Sequence, residues 1–494
     1  MAVVAAFAVC AQTAPAALTN RYVVKDNAGA AAPYDTPVNA AGDIQTAINY
    51  ANAGETVLVY AATYDLGGTK AAGRSLTNRV YISKAITVRS INNDPTNTII
   101  QGAWSSSGQT NGPDAIRCVN MISGSALAGF TLTNGATLGV DSGDGYDVEG
   151  GGAYAVSATI SNCIIVNNTS RGSAAQGPGS GGVHGGTVFN SLIANNSTLV
   201  RGGGGASCIL SNCTISANSA NSEGGGVSYG TLYGCVVSNN TAPSGGGASG
   251  SSLYGCTIVN NRATAGFGGG MVTEPYGSML SNCVVAYNSA VNGGAARGTR
   301  LFNCLVFSNT ASVSSPGPYQ SIVSNSIMMF NSSARCKFYN CLLVGGGYWE
   351  RYNGEGGLYN CTIVGAAGAG IDIEVKTPAV TMNIYNTISW SNSAQDAVGV
   401  VAFNSCGAGN LYTNTLLGNT TNNPRFVVDG RGYGSAHLPG NYRLQANSPC
   451  VNAGTNQDWL AGKVDLDGRA RIRYGTVDMG VYETIYNGAV FKFR

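Results

Sequence analysis

Acidic, basic and aromatic residues crowd one stretch of this chain. Glu274 and Tyr276 come first, then Arg297 and Arg300, Tyr319, Trp349, Glu350, Arg351 and Tyr352, and finally Asp372, Glu374 and Lys376. These types suit carbohydrate, because ring faces stack on the apolar faces of a sugar while fixed polar groups orient its hydroxyls. Catalysis there would take one of two forms. A lyase needs a base, usually Arg or Lys, with a cation to stabilise the enolate, whereas a hydrolase needs two carboxylates at a defined separation. The candidate catalytic set is Glu274, Arg297, Arg351, Asp372, Glu374 and Lys376, and the candidate carbohydrate-binding set is Tyr319, Trp349 and Tyr352. Asp372, Glu374 and Lys376 alternate with Ile371, Ile373 and Val375, which predicts one strand with all three charges pointing outward. The competing reading is a solvated outer face with a few snorkelling aromatics. A separate acidic group, Asp141, Asp144, Asp147 and Glu149, offers hard oxygen ligands for Ca²⁺ or is a solvated loop; no other cofactor is implied.

The elements that must position these residues are repeats. The stretch 210–261 writes one unit over and over: an apolar residue, Asn or Gly, Cys, two or three alternating apolar residues, an Asn five after the Cys, a polar stretch and a glycine run. Cys213, Cys235 and Cys256 lie 22 and 21 residues apart. That period fits one coil of a β-solenoid, being too short for a propeller blade or a helical hairpin. With the Cys as reference, copies fall at Cys163, Ser191, Cys213, Cys235, Cys256, Cys283, Cys304, Ser326, Cys341, Cys361, Thr387 and Thr415, with variable excess that must project as loops. The residue before the reference is Asn or Gly, the two types that tolerate left-handed backbone, which predicts a corner there; stacked amides at that corner could form a ladder between coils. The second Asn, as in Asn196 and Asn218, is expected to mark the next corner. The glycine runs match neither a P-loop nor a dinucleotide fingerprint, and let the backbone turn tightly into the next strand.

A short helix capped by Asp43, with apolar Ile44, Ala47, Ile48 and Ala51 on one face and ending at Gly54, is an expected lid over the open end of the stack, followed at once by a strand from Thr56. This order of helix, glycine and strands resembles the start of right-handed parallel β-helix proteins of the pectate-lyase-like superfamily. The glycine runs with Asn corners resemble the repeats of chlamydial polymorphic outer-membrane proteins and autotransporter passengers, although the F-x-x-N half of that pattern is missing. The resemblance implies an all-β, right-handed parallel β-helix of roughly 12–15 coils with an N-terminal capping helix. The motifs of polygalacturonases are not assembled, and GVHGG at His184 is a loose echo that reflects a glycine run.

From Asn441 the repeat stops. Tyr442-Arg443-Leu444, Ser448-Pro449, Asn452-Ala453-Gly454, Asp465-Leu466-Asp467-Gly468-Arg469 and Asp478-Met479-Gly480-Val481-Tyr482-Glu483 resemble the choice-of-anchor module of bacterial surface β-helix proteins. That module's expected task is to end the stack and hide its last edge. No LPxTG, autotransporter barrel or hydrophobic sorting tail is visible after Glu483. The Ala/Val-rich start, with its A-x-A pattern at Ala14, Pro15 and Ala16, suggests a secretory signal peptide over 1–16, and the expected divisions after it are cap and first coils over 17–126, repeat array over 127–440 and C-terminal module over 441–494.

Composition excludes several classes. A formal net charge of +2 and the lack of a Lys/Arg block argue against nucleic acid. No run after the N-terminus reaches a membrane span. Fourteen Cys in a secreted chain would ordinarily form disulfides, yet eight share one repeat position. Side chains stacked in parallel give a poor C–S–S–C torsion, so a ladder of buried thiols is expected, with neighbouring pairs such as Cys213 and Cys235 as the alternative. Zinc is disfavoured by the absence of C-x-x-C and the presence of only two His, His184 and His437. The sequence thus points to a monomeric protein, secreted or on the outer surface of a bacterium, that binds polysaccharide or host glycan or plays a structural part. The alternative is a polysaccharide lyase or glycoside hydrolase, and the absence of an intact catalytic motif leans away from an enzyme.

Overall fold

The computed structural model describes residues 19–107, 110–140, 145–172, 179–273, 277–350, 356–373, 382–395, 400–409, 412 and 415–485. It is a right-handed parallel β-helix. Each coil contributes a short strand to each of three long sheets, of 16, 15 and 14 strands, called here the first, second and third; a fourth sheet of seven strands joins them in the middle coils. One coil runs Val183–His184 in the third sheet, Thr187–Phe189 in the first, Leu192–Ala194 in the second and Ser197–Thr198 in the fourth. Nearly every pairing is parallel and in register, as in Leu192 to Thr214 and Ile193 to Ile215. Inward positions hold files of aliphatic side chains, such as Ile193, Ile215, Val237, Ile258 and Val285, all completely buried. Each such side chain contributes about 1.5–3 kcal/mol by leaving water.

Corners explain the asparagines. The residue before the reference position is left-handed in copy after copy, with φ of 49° at Asn162, 51° at Asn212 and 59° at Gly234. The amide ladder, however, runs through the second Asn rather than this one. Asn196 Nδ2 and its backbone N–H both donate to Asn218 Oδ1 at 3.0 Å, and the same pair of bonds links Asn218 to Asn240, Asn240 to Asn261 and Asn261 to Asn288. Each Nδ2 also donates to a carbonyl of an earlier coil, as Asn240 does to Ile215 at 2.9 Å. The left-handed residue at this second corner is the one before, Asn239 or Asn260. That rotation turns the following side chain inward, where burial makes a satisfied amide ladder the stable solution. The first Asn points outward, and only a few, such as Asn303 on Asn282, bond along the stack.

The thirteen described cysteines are free and buried. Their exchange with Ser and Thr has a hydrogen-bond reason as well as a size reason. Cys235 N–H donates to Cys256 Sγ and Cys256 N–H to Cys283 Sγ, both at 3.4 Å, while Cys163 and Cys304 N–H donate to Ser191 and Ser326 Oγ at 3.1 and 3.0 Å. The position needs a small acceptor for its neighbour's amide, which all three types provide. The last copy is displaced from the sequence expectation: Asn404 and Ser405 form the final corner, with Thr387 N–H on Ser405 Oγ at 3.1 Å, whereas Thr415 begins a short 3₁₀ turn.

Glycine runs sit where coils approach most closely. A Cβ on Gly225 would lie 2.5 Å from the carbonyl oxygens of Gly246 and Thr241, so no other residue fits between successive coils.

At the N-terminus the helix Ile44–Tyr50 buries Ile44, Ala47 and Ile48 over the first coil, and Asp43 caps it by accepting from Thr46 N–H at 2.8 Å. The C-terminal block departs from its expected place across the end of the stack. It lies along the side of the last coils instead, packing Tyr442, Leu444, Met479 and Val481 against outward Leu342, Val344, Val364 and Ile388 of the second sheet. The corner amides Asn340, Asn360, Asn386 and Asn404 donate to its carbonyls at Val464, Asp478, Thr455 and Ala453. Trp459 stands edge-on to Tyr339 and Tyr359, covering a stack of rings on the first sheet that continues to Tyr385 and Phe403. The far end of the interior is met by Tyr412, fully buried in the main core. Among the described residues no helix is long and apolar enough to cross a membrane. The expected signal peptide lies outside the described residues.

Candidate functional site

Register makes the outer face of the third sheet a set of parallel files. One file runs Tyr81, Asn120, Tyr154, His184, Ala206, Ser228, Ser249, Val272, Arg297, Tyr319, Ala334, Trp349, Asp372, each the direct partner of the next. Strand alternation turns them outward while their neighbours Ala296, Pro318, Tyr348 and Ile371 are buried. Four sequence candidates, Arg297, Tyr319, Trp349 and Asp372, therefore share a single file, four rungs or about 19 Å from end to end. Asp372 is exposed between buried Ile371 and Ile373, as its alternation predicts. Glu274, Arg351, Tyr352, Glu374 and Lys376 lie outside the described residues.

Two further files wall this floor. The residue immediately before each glycine run pairs with its counterpart in the next coil, giving Arg201, Glu223 and Ser244, then Phe267 and Asn292. On the other side, left-handed corner residues line up as Tyr229, Gln320 and Arg335. Cross-trench contacts tie the files together. Arg201 Nη1 donates to the Tyr229 hydroxyl at 3.0 Å, and Ser249 Oγ donates to Glu223 Oε2 at 3.0 Å. The Arg297 guanidinium lies 4.0 Å from the centre of the Phe267 ring, which stacks on Tyr319 with centroids 5.9 Å apart. Arg335 donates from Nη1 to the Tyr319 hydroxyl at 3.1 Å.

These walls enclose successive clefts. One of about 280 Å³ is lined by Arg201, Glu223, Tyr229, Ser249 and Arg297. A second, about 240 Å³, is lined by Asn292, Tyr319, Arg335 and Trp349, and a third, about 260 Å³, by Gly347, Trp349, Ala366 and Asp372. Trp349 borders both of the last two. Along its length the trench offers flat rings, guanidinium groups and two described carboxylates, Glu223 on a wall and Asp372 on the floor. Glu350 does not join them. It faces inward, 2% exposed, 3.2 Å from the Tyr348 hydroxyl and 4.0 Å from Arg335 Nε. Burial and this carboxylate push the Tyr348 hydroxyl well above its ordinary range.

Toward the N-terminus the same floor carries a denser cluster. The Tyr154 and His184 rings stack in parallel at 5.1 Å, and His184 Nδ1 sits 3.3 Å from Glu149 Oε2. Tyr146 leans on Tyr154 and takes Arg74 over its face at 4.0 Å. Beneath them Arg117 is completely buried, donating to Asn78 and to the carbonyls of Tyr146, Glu149 and Gly150. Burial brings its guanidinium down to about 10 and raises the Tyr146 and Tyr154 hydroxyls. His184, taken from sequence as an incident of a glycine run, is thus a member of this floor.

Of the two readings of the acidic group, its described acids do not assemble the Ca²⁺ site. Asp147 accepts from the amides of Ser75 and Leu76 at 3.0 and 3.2 Å, tying two loops together, while Glu149 is held on His184. Asp141 and Asp144 lie outside the described residues, and among the described residues no three His, Cys, Asp or Glu gather as a metal site.

Arg201, Glu223, Tyr229, Phe267 and Arg335 were missed in sequence. The signal existed: each wall residue keeps a fixed place relative to its glycine run or corner, but its type changes from coil to coil.

No family model matches the sequence, and no curated protein matches it. Among solved structures the chain is similar to pectate lyase Pel9A, at 14% identity over 94% of this chain and 97% of that one, with a TM-score of 0.27. It is also similar to the A-module of Azotobacter vinelandii mannuronan C-5 epimerase AlgE4, at 16% identity over 78% and 94% of the two chains and a TM-score of 0.29. A tailspike mutant of E. coli bacteriophage HK620 aligns at 11% identity over 80% and 77%, with a TM-score of 0.31.

Proposed function

We propose that the protein binds an extended glycan along the outer face of its third sheet, as a secreted or surface-displayed β-helix. The observation that carries this reading is the single file Arg297, Tyr319, Ala334, Trp349, Asp372, which sets two ring faces between a guanidinium and a carboxylate over successive clefts. A linear polymer can occupy such a line one residue after another. Ring faces supply contact area at little entropic cost, and the guanidinium and carboxylate groups fix the register of the hydroxyls. Affinity electrophoresis through gels containing individual neutral and acidic polysaccharides tests it. Retardation by at least one polymer, lost in Trp349→Ala, is expected. Equal mobility of wild type and Trp349→Ala in every gel that retards the protein would overturn the reading. Release of unsaturated product, followed in the ultraviolet, would convert the binding reading into the lyase one.

A further inference from the structure

We propose that the cavity beside the N-terminal cap is a second binding site, for a small sugar acid whose single carboxylate is held by Arg79. The cavity measures about 360 Å³, a size suited to a small ligand, and is lined by Lys25, Asp26, Ile44, Tyr64, Leu66 and Arg79. It lies between the lead-in to the capping helix and the loop before the strand Thr77–Ile82. The site stands independently of the trench.

Arg79 is the reason an anion belongs there. The residue is only 7% exposed, yet its hydrogen bonds go only to carbonyls: Nε donates to Gln101 at 2.7 Å and Nη1 to Gly67. Among the described residues Nη2 has no hydrogen-bond partner and no carboxylate forms an ion pair with the guanidinium. Asp65 offsets part of this charge from a distance but is itself bonded to Lys25, and a carboxylate in contact with the guanidinium would relieve more of the desolvation cost. Burial accordingly lowers the Arg79 pKa. The remaining N–H groups of a planar guanidinium match a carboxylate better than a point charge does.

The other charged groups decide what the anion carries. Lys25 is already committed, donating to Asp65 and to the Thr63 carbonyl at 2.7 Å each. Asp43 is committed to Thr46 as the helix cap. Asp26 remains on the wall as an acceptor, so it favours hydroxyl groups on the ligand and opposes a second negative charge. Tyr64, Ile44 and Leu66 give the ligand body an apolar surface. One carboxylate, several hydroxyls and a partly apolar face describe a sugar acid.

Isothermal titration of the full chain with glucuronate, glucose and inorganic phosphate tests the proposal. Glucuronate is expected to bind one to one and more tightly than phosphate, and glucose not at all. Arg79→Lys should weaken glucuronate at least about tenfold, since the ammonium cannot reproduce the planar fork. Leu66, 72% exposed at the cavity wall, can be enlarged without touching the core, so Leu66→Trp should block entry and abolish binding. Should Arg79→Lys prove unfolded by circular dichroism, Leu66→Trp decides alone. Trp349→Ala should leave the glucuronate isotherm unchanged. Glucose binding as tightly as glucuronate, phosphate binding more tightly, wild-type affinity in Leu66→Trp, or loss of binding in Trp349→Ala would each overturn the assignment.

Discussion

Two files of side chains run through the same coils and obey opposite rules. The file at the corner after the second sheet holds Asn at every rung from Asn168 to Asn331, each buried and bonded to the next. The outward file of the third sheet changes type at almost every rung, from His184 through Ala206, Ser228 and Val272 to Arg297 and Trp349. Inside, the register leaves one polar group that can satisfy both the amide above and the carbonyl below. On the outer face no ladder bond runs from rung to rung, so the register demands no single type there: small residues such as Ala206, Ser228 and Ala334 are covered by their neighbours, while Asp372 reaches solvent. Constancy therefore marks architecture in this molecule, and change at a fixed position marks the surface available for recognition.

The sharpest way to break that contrast is to exchange one rung of each file. Asn240→Leu strips the Asn218 amides of their acceptor and the Ile215 carbonyl of its donor, each buried. A loss of about 3 kcal/mol or more in denaturant unfolding is expected. Trp349→Ala should move stability by less than about 1 kcal/mol while removing glycan retardation. If both substitutions cost the same stability, the outer file is structural too.

Thiol reactivity sharpens the inner half of the comparison. The described cysteines are buried, which denies a reagent access, and burial is the main cause that raises Cys208 and Cys118 to about 12. Ellman's reagent should leave all thirteen unreacted in the native protein and titrate them on denaturation. Fast reaction of several would show that the coils open.

The smallest effect concerns the cap. Arg21 holds the Glu55 carboxyl below its ordinary value through bonds of 2.9 Å from Nε and 2.5 Å from Nη2. A depressed carboxylate adds stability above its unfolded pKa and loses it as pH falls through the folded one. The cap should therefore weaken on acidification below about pH 4.5, and Glu55→Gln should remove that dependence, seen as a flatter acid limb of thermal unfolding.

Much of this was legible in the sequence because a solenoid repeats its physics. Asn or Gly before a small polar residue announced the left-handed corner, and the Cys, Ser and Thr exchange announced a buried small site. Spacing alone does not tell the two Asn positions apart as the site of the ladder, because it does not show which side of a corner a side chain takes. A block that follows the last repeat suggests a cover for the end of the stack, whereas the apolar outer positions of the last coils, Leu342, Val344 and Val364, need covering from the side. Outer apolar residues in those coils were the available clue. The trench floor was half visible: Arg297, Tyr319, Trp349 and Asp372 stood out by type. Their walls did not, since a lone Arg335 or Phe267 acquires meaning only when register sets it beside a neighbour some 16 to 52 residues away, as Arg335 lies from Tyr319 and Phe267 from Tyr319.

Hydroxyl-radical footprinting of the protein with and without a retained polysaccharide is the most direct test of the central claim. Protection concentrated on Tyr319 and Trp349, with Tyr229 and Phe267 beside them, is the predicted result. Protection falling on the exposed rings of the first sheet, Tyr233 and Phe302, with the third-sheet residues unchanged, would contradict it.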